Sequence, residues 1–259
     1  MVNELIDTHA HLFAEEFDED RVEMMERAIA KNIKKIILPN IDKDSLSKMI
    51  ALKNQYPEIC ELAFGLHPCY VFADYELQLK IIKDEMEKHP KTIAIGEIGM
   101  DLYWDKTFVK EQEIAFIKQC EWAIEKDIPV LIHSREATNE LIEILQKMPK
   151  KPKGVFHCFS GDISQAEKIM NFGMYLGIGG VLTYKKSTLP DVLLNIPISA
   201  MILETDSPYL PPTPHRGKRN ESSFLDLVAI KLAEIKQLSY EDVCKETTKN
   251  AMNLFYGLE

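Results

Sequence analysis

Short apolar runs recur through the chain, and six of the residues that close them are imidazoles or carboxylates. They are His9 and His11 in LIDTHAH, Glu97 in TIAIGEIG, His133 in IPVLIHS, His157 in KGVFHCF and Asp206 in AMILETDSP. No other feature constrains the fold as strongly. A parallel strand buried on both faces reads as a continuous apolar run, and in a barrel of such strands the loops after the C-terminal ends gather on one face. Polar groups placed repeatedly at that point imply one shared site, and imidazole with carboxylate is a donor set suited to a transition-metal cation.

Eight strands read in order: Leu5 to His11, Lys35 to Asn40, Glu61 to His67, Thr92 to Ile98, Pro129 to His133, Gly154 to Phe159, Met174 to Gly179, and Met201 to Thr205. Helical periodicity fills the gaps between them, and two further helices, Phe224 to Lys236 and Ser239 to Leu254, follow the eighth. The Ser239 hydroxyl is placed to cap the second of these, with Asp242 three positions on. The alternation predicts an α/β fold, a (β/α)8 TIM barrel with an additional C-terminal helix. With 259 residues and 46% hydrophobic content, residues 1–259 are expected to form a single barrel domain. Tyr209 to Asn220 reads as a long Pro-rich, basic loop.

The net charge of -10 excludes broad electrostatic attraction to nucleic acid or to an anionic membrane, so any phosphate binding must rely on local charge. Five cysteines, odd in number and with no CxxC pair, predict reduced thiols and a cytoplasmic protein. The N-terminus lacks a signal-like segment, and the longest apolar stretch, Met174 to Leu182, is too short to cross a bilayer. No membrane association is expected.

Two imidazoles one residue apart project together from an extended strand, so His9 and His11 can chelate one cation; a solvated pair at a loop entrance is the plain structural alternative. Glu97, uncrowded between Gly96 and Gly99, can bridge two cations with its two oxygens, and His133 and His157 supply imidazoles for the second. Strand alternation aligns Asp7 with His9 and His11, Ile93 and Ile95 with Glu97, and Ile202 and Glu204 with Asp206. Asp206, where Pro208 ends the strand, can bind metal and accept a proton, or serve as a turn residue. Asp206 and Glu97 are therefore the catalytic candidates. Glu204 is expected to orient a histidine N–H, with a buried salt bridge as the alternative. His67 in GLHP is a phosphate contact or a turn residue, and Tyr103 and Trp104 are a stacking surface for a base or a simple lid.

DTHAHL, GEIGMDLYWD, PVLIHSREA, HCFSG, LETDSPYL, PTPHRGKRN and the closing TTKNAMNLF, in this order along the whole chain, resemble the TatD-type metal-dependent deoxyribonucleases of the amidohydrolase superfamily. The resemblance implies a barrel with a divalent-metal centre and a DNA hydrolase, commonly a 3′ to 5′ exonuclease. By motif, it implies that His9, His11, Glu97 and Asp206 hold one metal and that Glu97, His133 and His157 hold the second. The family's phosphate-contacting arginine matches Arg216, with Lys218 and Arg219 nearby. This chain departs from the pattern at Cys69, where histidine is more common, and at Glu221, where a proline often follows the asparagine.

The expected function is a divalent-metal-dependent deoxyribonuclease that cleaves phosphodiester bonds from single-stranded or frayed DNA ends, with no obligate protein partner. Two ions drawn from Zn, Mn, Mg, Fe or Ni are implied, the histidine content favouring a transition metal over magnesium. A hydrolase of a small ester, lactone, amide or phosphate is the rival reading, because the same activated water serves both kinds of centre. A metal-binding scaffold without catalysis is the third.

Overall fold

The computed structural model describes residues 4–258. Eight strands alternate with helices: β1 (Leu5–Asp7), α1 (Arg21–Ala30), β2 (Ile33–Pro39), α2 (Leu46–Gln55), β3 (Cys60–Phe64), α3 (Tyr75–Met86), β4 (Ala94–Asp101), α4 (Val109–Lys126), β5 (Val130–Arg135), α5 (Thr138–Lys147), β6 (Gly154–Phe156), α6 (Ile163–Asn171), β7 (Tyr175–Ile178), α7 (Leu189–Leu194) and β8 (Met201–Leu203). Two more helices, α8 (Leu225–Lys236) and α9 (Tyr240–Tyr256), complete the order. All neighbouring strands pair in parallel, in the order β1 to β8. The seam is closed just beyond the strand ends. Thr8 N–H donates to the Leu203 carbonyl at 3.1 Å, Asp206 N–H to the His9 carbonyl at 2.9 Å, and His11 N–H to the Ser207 carbonyl at 2.7 Å. This is the expected TIM barrel with its additional C-terminal helix.

Two apolar layers result. Ile6, Ile37, Ala63, Ala94, Leu131, Val155 and Ile202 fill the barrel interior, and Ala251, Leu254 and Phe255 of α9 join the same cluster, so α9 plugs the barrel's N-terminal end. A larger cluster lies between the strands and the surrounding helices. Ser239 caps α9 as expected, its hydroxyl accepting from Asp242 N–H at 3.0 Å. Lys236 secures the end of α7 by donating to the carbonyls of Leu193, Leu194 and Ile196 at 3.0, 3.3 and 2.8 Å.

Several strand ends are corrected: β3 stops at Phe64 and β6 at Phe156, each three residues short of the expected end, and two further corrections bear on the site. The first strand was expected to reach His11, but β1 stops at Asp7, and His9 and His11 occupy the connecting segment that seals the seam. β4 runs three residues past the expected end, to Asp101, with a register irregularity between Ile95 and Ile98. That irregularity breaks the expected row. Ile95 packs in the outer layer while Glu97 turns into the barrel mouth.

Candidate metal centre

Six strands or their immediate extensions deliver side chains to one point at the C-terminal mouth. Glu97, 2% exposed, lies at its centre. Its Oε2 is 3.1 Å from His9 Nε2 and 3.3 Å from His11 Nε2. Its Oε1 is 2.7 Å from His157 Nε2, 2.9 Å from His133 Nδ1 and 3.3 Å from His67 Nε2. Asp206 Oδ1 stands 3.6 Å from His11 Nε2 and 3.8 Å from His9 Nε2. One carboxylate thus presents each of its oxygens to a different set of imidazoles.

The far nitrogens decide where the imidazole protons sit. His11 Nδ1 is 3.1 Å from the Pro39 carbonyl, which can only accept, so the proton is on Nδ1 and the Nε2 lone pair faces the cluster. His133 Nε2 is 3.0 Å from Asp101 Oδ2, which leaves Nδ1 free to bind. His157 Nδ1 lies 3.6 Å from Glu204 Oε1, and its Nε2 points inward. His67 is the exception. Its Nδ1 accepts the Cys69 N–H at 3.1 Å, so its proton is on the Nε2 that faces Glu97. His67 is a donor at this site, whereas the other imidazoles with assigned protons present lone pairs.

The donors fit divalent cations. His9 Nε2 and His11 Nε2 approach to 3.3 Å, and His9, His11 and Asp206, like His9, Glu97 and His157, keep all ligand atoms within 4.8 Å of one another. Ligands about 2.0–2.1 Å from a tetrahedral ion lie roughly 3.3–3.4 Å apart, close to the spacing seen. The lone pairs of His11 Nε2 and His133 Nδ1 face the Glu97 oxygens, which as a carboxylate also only accept, and such buried contacts need a positive charge between them. Burial pushes the Glu97 pKa up, but positive charge on the imidazoles of His157, His67 and His9 overcomes it and holds this carboxyl well below its usual range. Burial raises Asp206 to about 7 despite His157 and His11. Burial opposes charge on His157, and Glu97 and Glu204 outweigh it.

Supporting groups surround this set. Glu204, fully buried, accepts from Cys158 N–H at 2.5 Å beside His157, and its Oε2 has no protein partner. It needs Gly177 opposite, where a Cβ would overlap Glu204 Oε2. Asp7 does not join His9 and His11. It accepts from Thr205 N–H, Thr205 Oγ1–H and Ser222 Oγ–H at 3.0, 2.7 and 2.6 Å, tying β1 to the segment after β8, and burial raises its pKa to about 6. Sequence reasoning missed Asp101, whose Oδ2 holds His133 while Oδ1 accepts from Tyr103 N–H at 3.0 Å and Trp104 N–H at 3.1 Å. It also missed Arg135. Its signal was its position two residues beyond His133, on the same face of β5.

A cavity of about 770 Å³ opens above the cluster, and His67, Trp104 and Arg135 are in its wall. Tyr103 sits behind, with Arg135 stacked 3.9 Å over its ring. The basic residues of the Pro-rich loop lie elsewhere. Arg216 is exposed and rests 3.7 Å over the Tyr184 ring, outside the cavity wall, and Lys218 is exposed beyond it. Arg219 is held by Asp20 at 2.5 and 2.8 Å and packs over Phe17.

The sequence model described as TatD related DNase matches residues 6–256. The chain belongs to the TatD-related DNase family. Relatives in the family include an uncharacterized metal-dependent hydrolase, YabD of Bacillus subtilis, 38% identical over 253 residues that cover 97% of this chain and 98% of that one. YjjV of Escherichia coli, also an uncharacterized metal-dependent hydrolase, is 30% identical over 257 residues covering 98% and 99%. The crystal structure of YjjV superposes with a TM-score of 0.91 over the whole of both chains. A TatD-family hydrolase from Entamoeba histolytica, 24% identical, shares the fold with a TM-score of 0.86 over the whole of both chains. As a TatD-related protein the chain is a metal-dependent hydrolase, and among its described residues no helix is long and apolar enough to cross a membrane.

Proposed function

We propose that the whole chain, 1–259, is one cytoplasmic hydrolase domain with two divalent ions, and that it removes nucleotides from single-stranded or frayed DNA ends, as a 3′ to 5′ exonuclease. The observation that carries this reading is the division of Glu97 between two imidazole sets. His9, His11, Glu97 and Asp206 would hold one ion, and Glu97, His133 and His157 the other. When bound, the pair supplies an acidified water and positive charge for the phosphoryl oxygens.

The chain's own groups do the rest. Asp206, at 13% exposure more open than Glu97, faces the cavity and accepts the proton of the attacking water. The Nε2–H of His67, in the cavity wall, turns from Glu97 Oε1 at 3.3 Å to donate to a non-bridging phosphate oxygen, which a neutral imidazole can do without changing charge. The Glu204 carboxylate, 3.6 Å from His157 Nδ1, favours the tautomer with its proton on Nδ1, so that the Nε2 lone pair faces inward. Trp104, 66% exposed, offers a face to a base of the single-stranded end, with Tyr103 supporting it. Arg216 and Lys218 reach a phosphate only from outside the cavity wall, as secondary contacts of a longer strand. The charge of -10 disfavours a long duplex, whereas one held end needs only these local contacts.

The test is metal-reconstituted protein with end-labelled single-stranded DNA, beside Asp206→Asn. A ladder growing from one end, absent in the variant, supports the reading. Cleavage confined to small esters or amides would replace it with the rival hydrolase.

A further inference from the structure

Arg135 is the only lysine or arginine in the cavity wall among the described residues. Its backbone is fixed: it is the last residue of β5, and its carbonyl accepts from Leu102 N–H at 2.9 Å. Its side chain makes no hydrogen bond or ion pair within the described residues, whereas Arg21, Arg27 and Arg219 are each bonded to carboxylates. Instead the guanidinium lies 3.9 Å over Tyr103 and 5.0 Å from the Trp104 ring. Stacking of this kind orients the plane and leaves its edge N–H groups free for an oxyanion.

The aromatic partners are just as deliberately placed. Asp101 Oδ1 anchors the N–H groups of both Tyr103 and Trp104, yet the Trp104 side chain stays two-thirds exposed. An anchored indole that buries little of its own surface adds little to the core and leaves a π-face for a ligand. The spacing is also informative. Arg135 is two residues above His133 on one strand, a rise of about 6.6 Å, which is close to the separation of successive phosphates along a nucleic-acid strand.

We propose that Arg135, Tyr103 and Trp104 form a subsite for the second phosphate of a single strand, Arg135 binding the phosphate next to the one being cleaved and Trp104 stacking the base between them. The subsite rests on the phosphodiesterase reading and names its substrate class: strands with at least two phosphates and an unpaired base.

Two substrates that both release thymidine 5′-monophosphate test it, each variant being compared with wild type on the same substrate. One is the p-nitrophenyl ester of thymidine 5′-monophosphate, with a single phosphate; the other is a thymidine dinucleotide with an additional 5′-terminal phosphate. Arg135→Gln should raise KM for the dinucleotide about tenfold or more while kcat, metal content and KM for the p-nitrophenyl ester change less than about twofold. Arg135→Lys should recover only part of the loss, and Trp104→Ala should show the same split. Equal effects on both substrates, or none, overturn the subsite. Binding separates it from the nuclease reading. Thymidine 3′,5′-bisphosphate titrated into metal-reconstituted protein should change the emission of Trp104, Trp122 being buried, and Arg135→Gln should weaken that binding about tenfold where Arg216→Gln does not. Arginine-dependent binding without DNA cleavage keeps the subsite and discards the nuclease; no binding, or binding indifferent to Arg135, discards the subsite.

Discussion

Asp101 Oδ2 lies 3.0 Å from His133 Nε2, so a carboxylate at the end of one strand sets the proton position of an imidazole on the next. The same carboxylate bonds two N–H groups of the Tyr103–Trp104 turn through its other oxygen. An asparagine has a single carboxamide oxygen and cannot serve both. Asp101→Asn should therefore lower metal affinity at the His133 position about 10–100-fold. Metal titration by calorimetry checks this, with thermal melting as the control; unchanged affinity would leave the carboxylate without a role at the metal.

Gly177 is the only residue type that leaves room for Glu204. A Cβ there would overlap Glu204 Oε2 and come within 2.9 Å of the His157 Cα. Gly177→Ala should destabilise the fold by about 1–3 kcal/mol through overpacking and loosen the His157 position. Urea denaturation together with metal content reads both effects, and wild-type values for the two would show that Glu204 is free to move aside.

The barrel alternation was legible because its apolar runs are short, separated by helical periodicity and mostly closed by a polar group. The donor set was legible because HxH, Glu97 and Asp206 follow apolar runs in the sequence, although β4 continues past Glu97 and β1 stops before His9. The parity of β4 was not: Ile93 and Ile95 are apolar on either face, so nothing in the run reveals the irregularity that sends Ile95 outward and Glu97 inward. Asp101 and Arg135 were overlooked because they lie past the apolar part of their strands yet remain paired with each other. The role of Asp7 depends on Thr205 and Ser222, about two hundred positions away in the chain. The basic loop was misleading for a similar reason, since Arg219 meets Asp20 across the fold.

Acid should destabilise the protein partly through that distant pairing. Arg219 and Arg27 hold Asp20 well below its ordinary pKa of 3.8. Burial pushes Glu221 up, but Arg27 and Ser223 outweigh it and hold the carboxyl below its ordinary 4.5. A folded-state pKa below the unfolded one contributes stability above the ordinary value, lost as pH falls through the folded value. Glu221→Gln should therefore melt lower than wild type at pH 7, with the difference shrinking as pH drops below about 4. Melting temperature against pH measures it, and a constant difference would contradict the pairing.

Phe255 tests the α9 plug. It is 8% exposed and packs in the barrel-interior cluster with α9's Leu254. Phe255→Ala should cost about 3–5 kcal/mol of stability without altering metal stoichiometry, because the plug closes the end opposite the metal centre. Denaturant titration with metal analysis checks the separation; loss of metal in folded protein would join the two ends.

The division of Glu97 between two donor sets is tested most directly by counting bound metal per chain in wild type, His157→Ala and Glu97→Ala after reconstitution and removal of excess ion. Two ions in wild type, one in His157→Ala and weakened retention of both in Glu97→Ala is the expected pattern. A single ion in wild type, or two retained by folded His157→Ala, would contradict it.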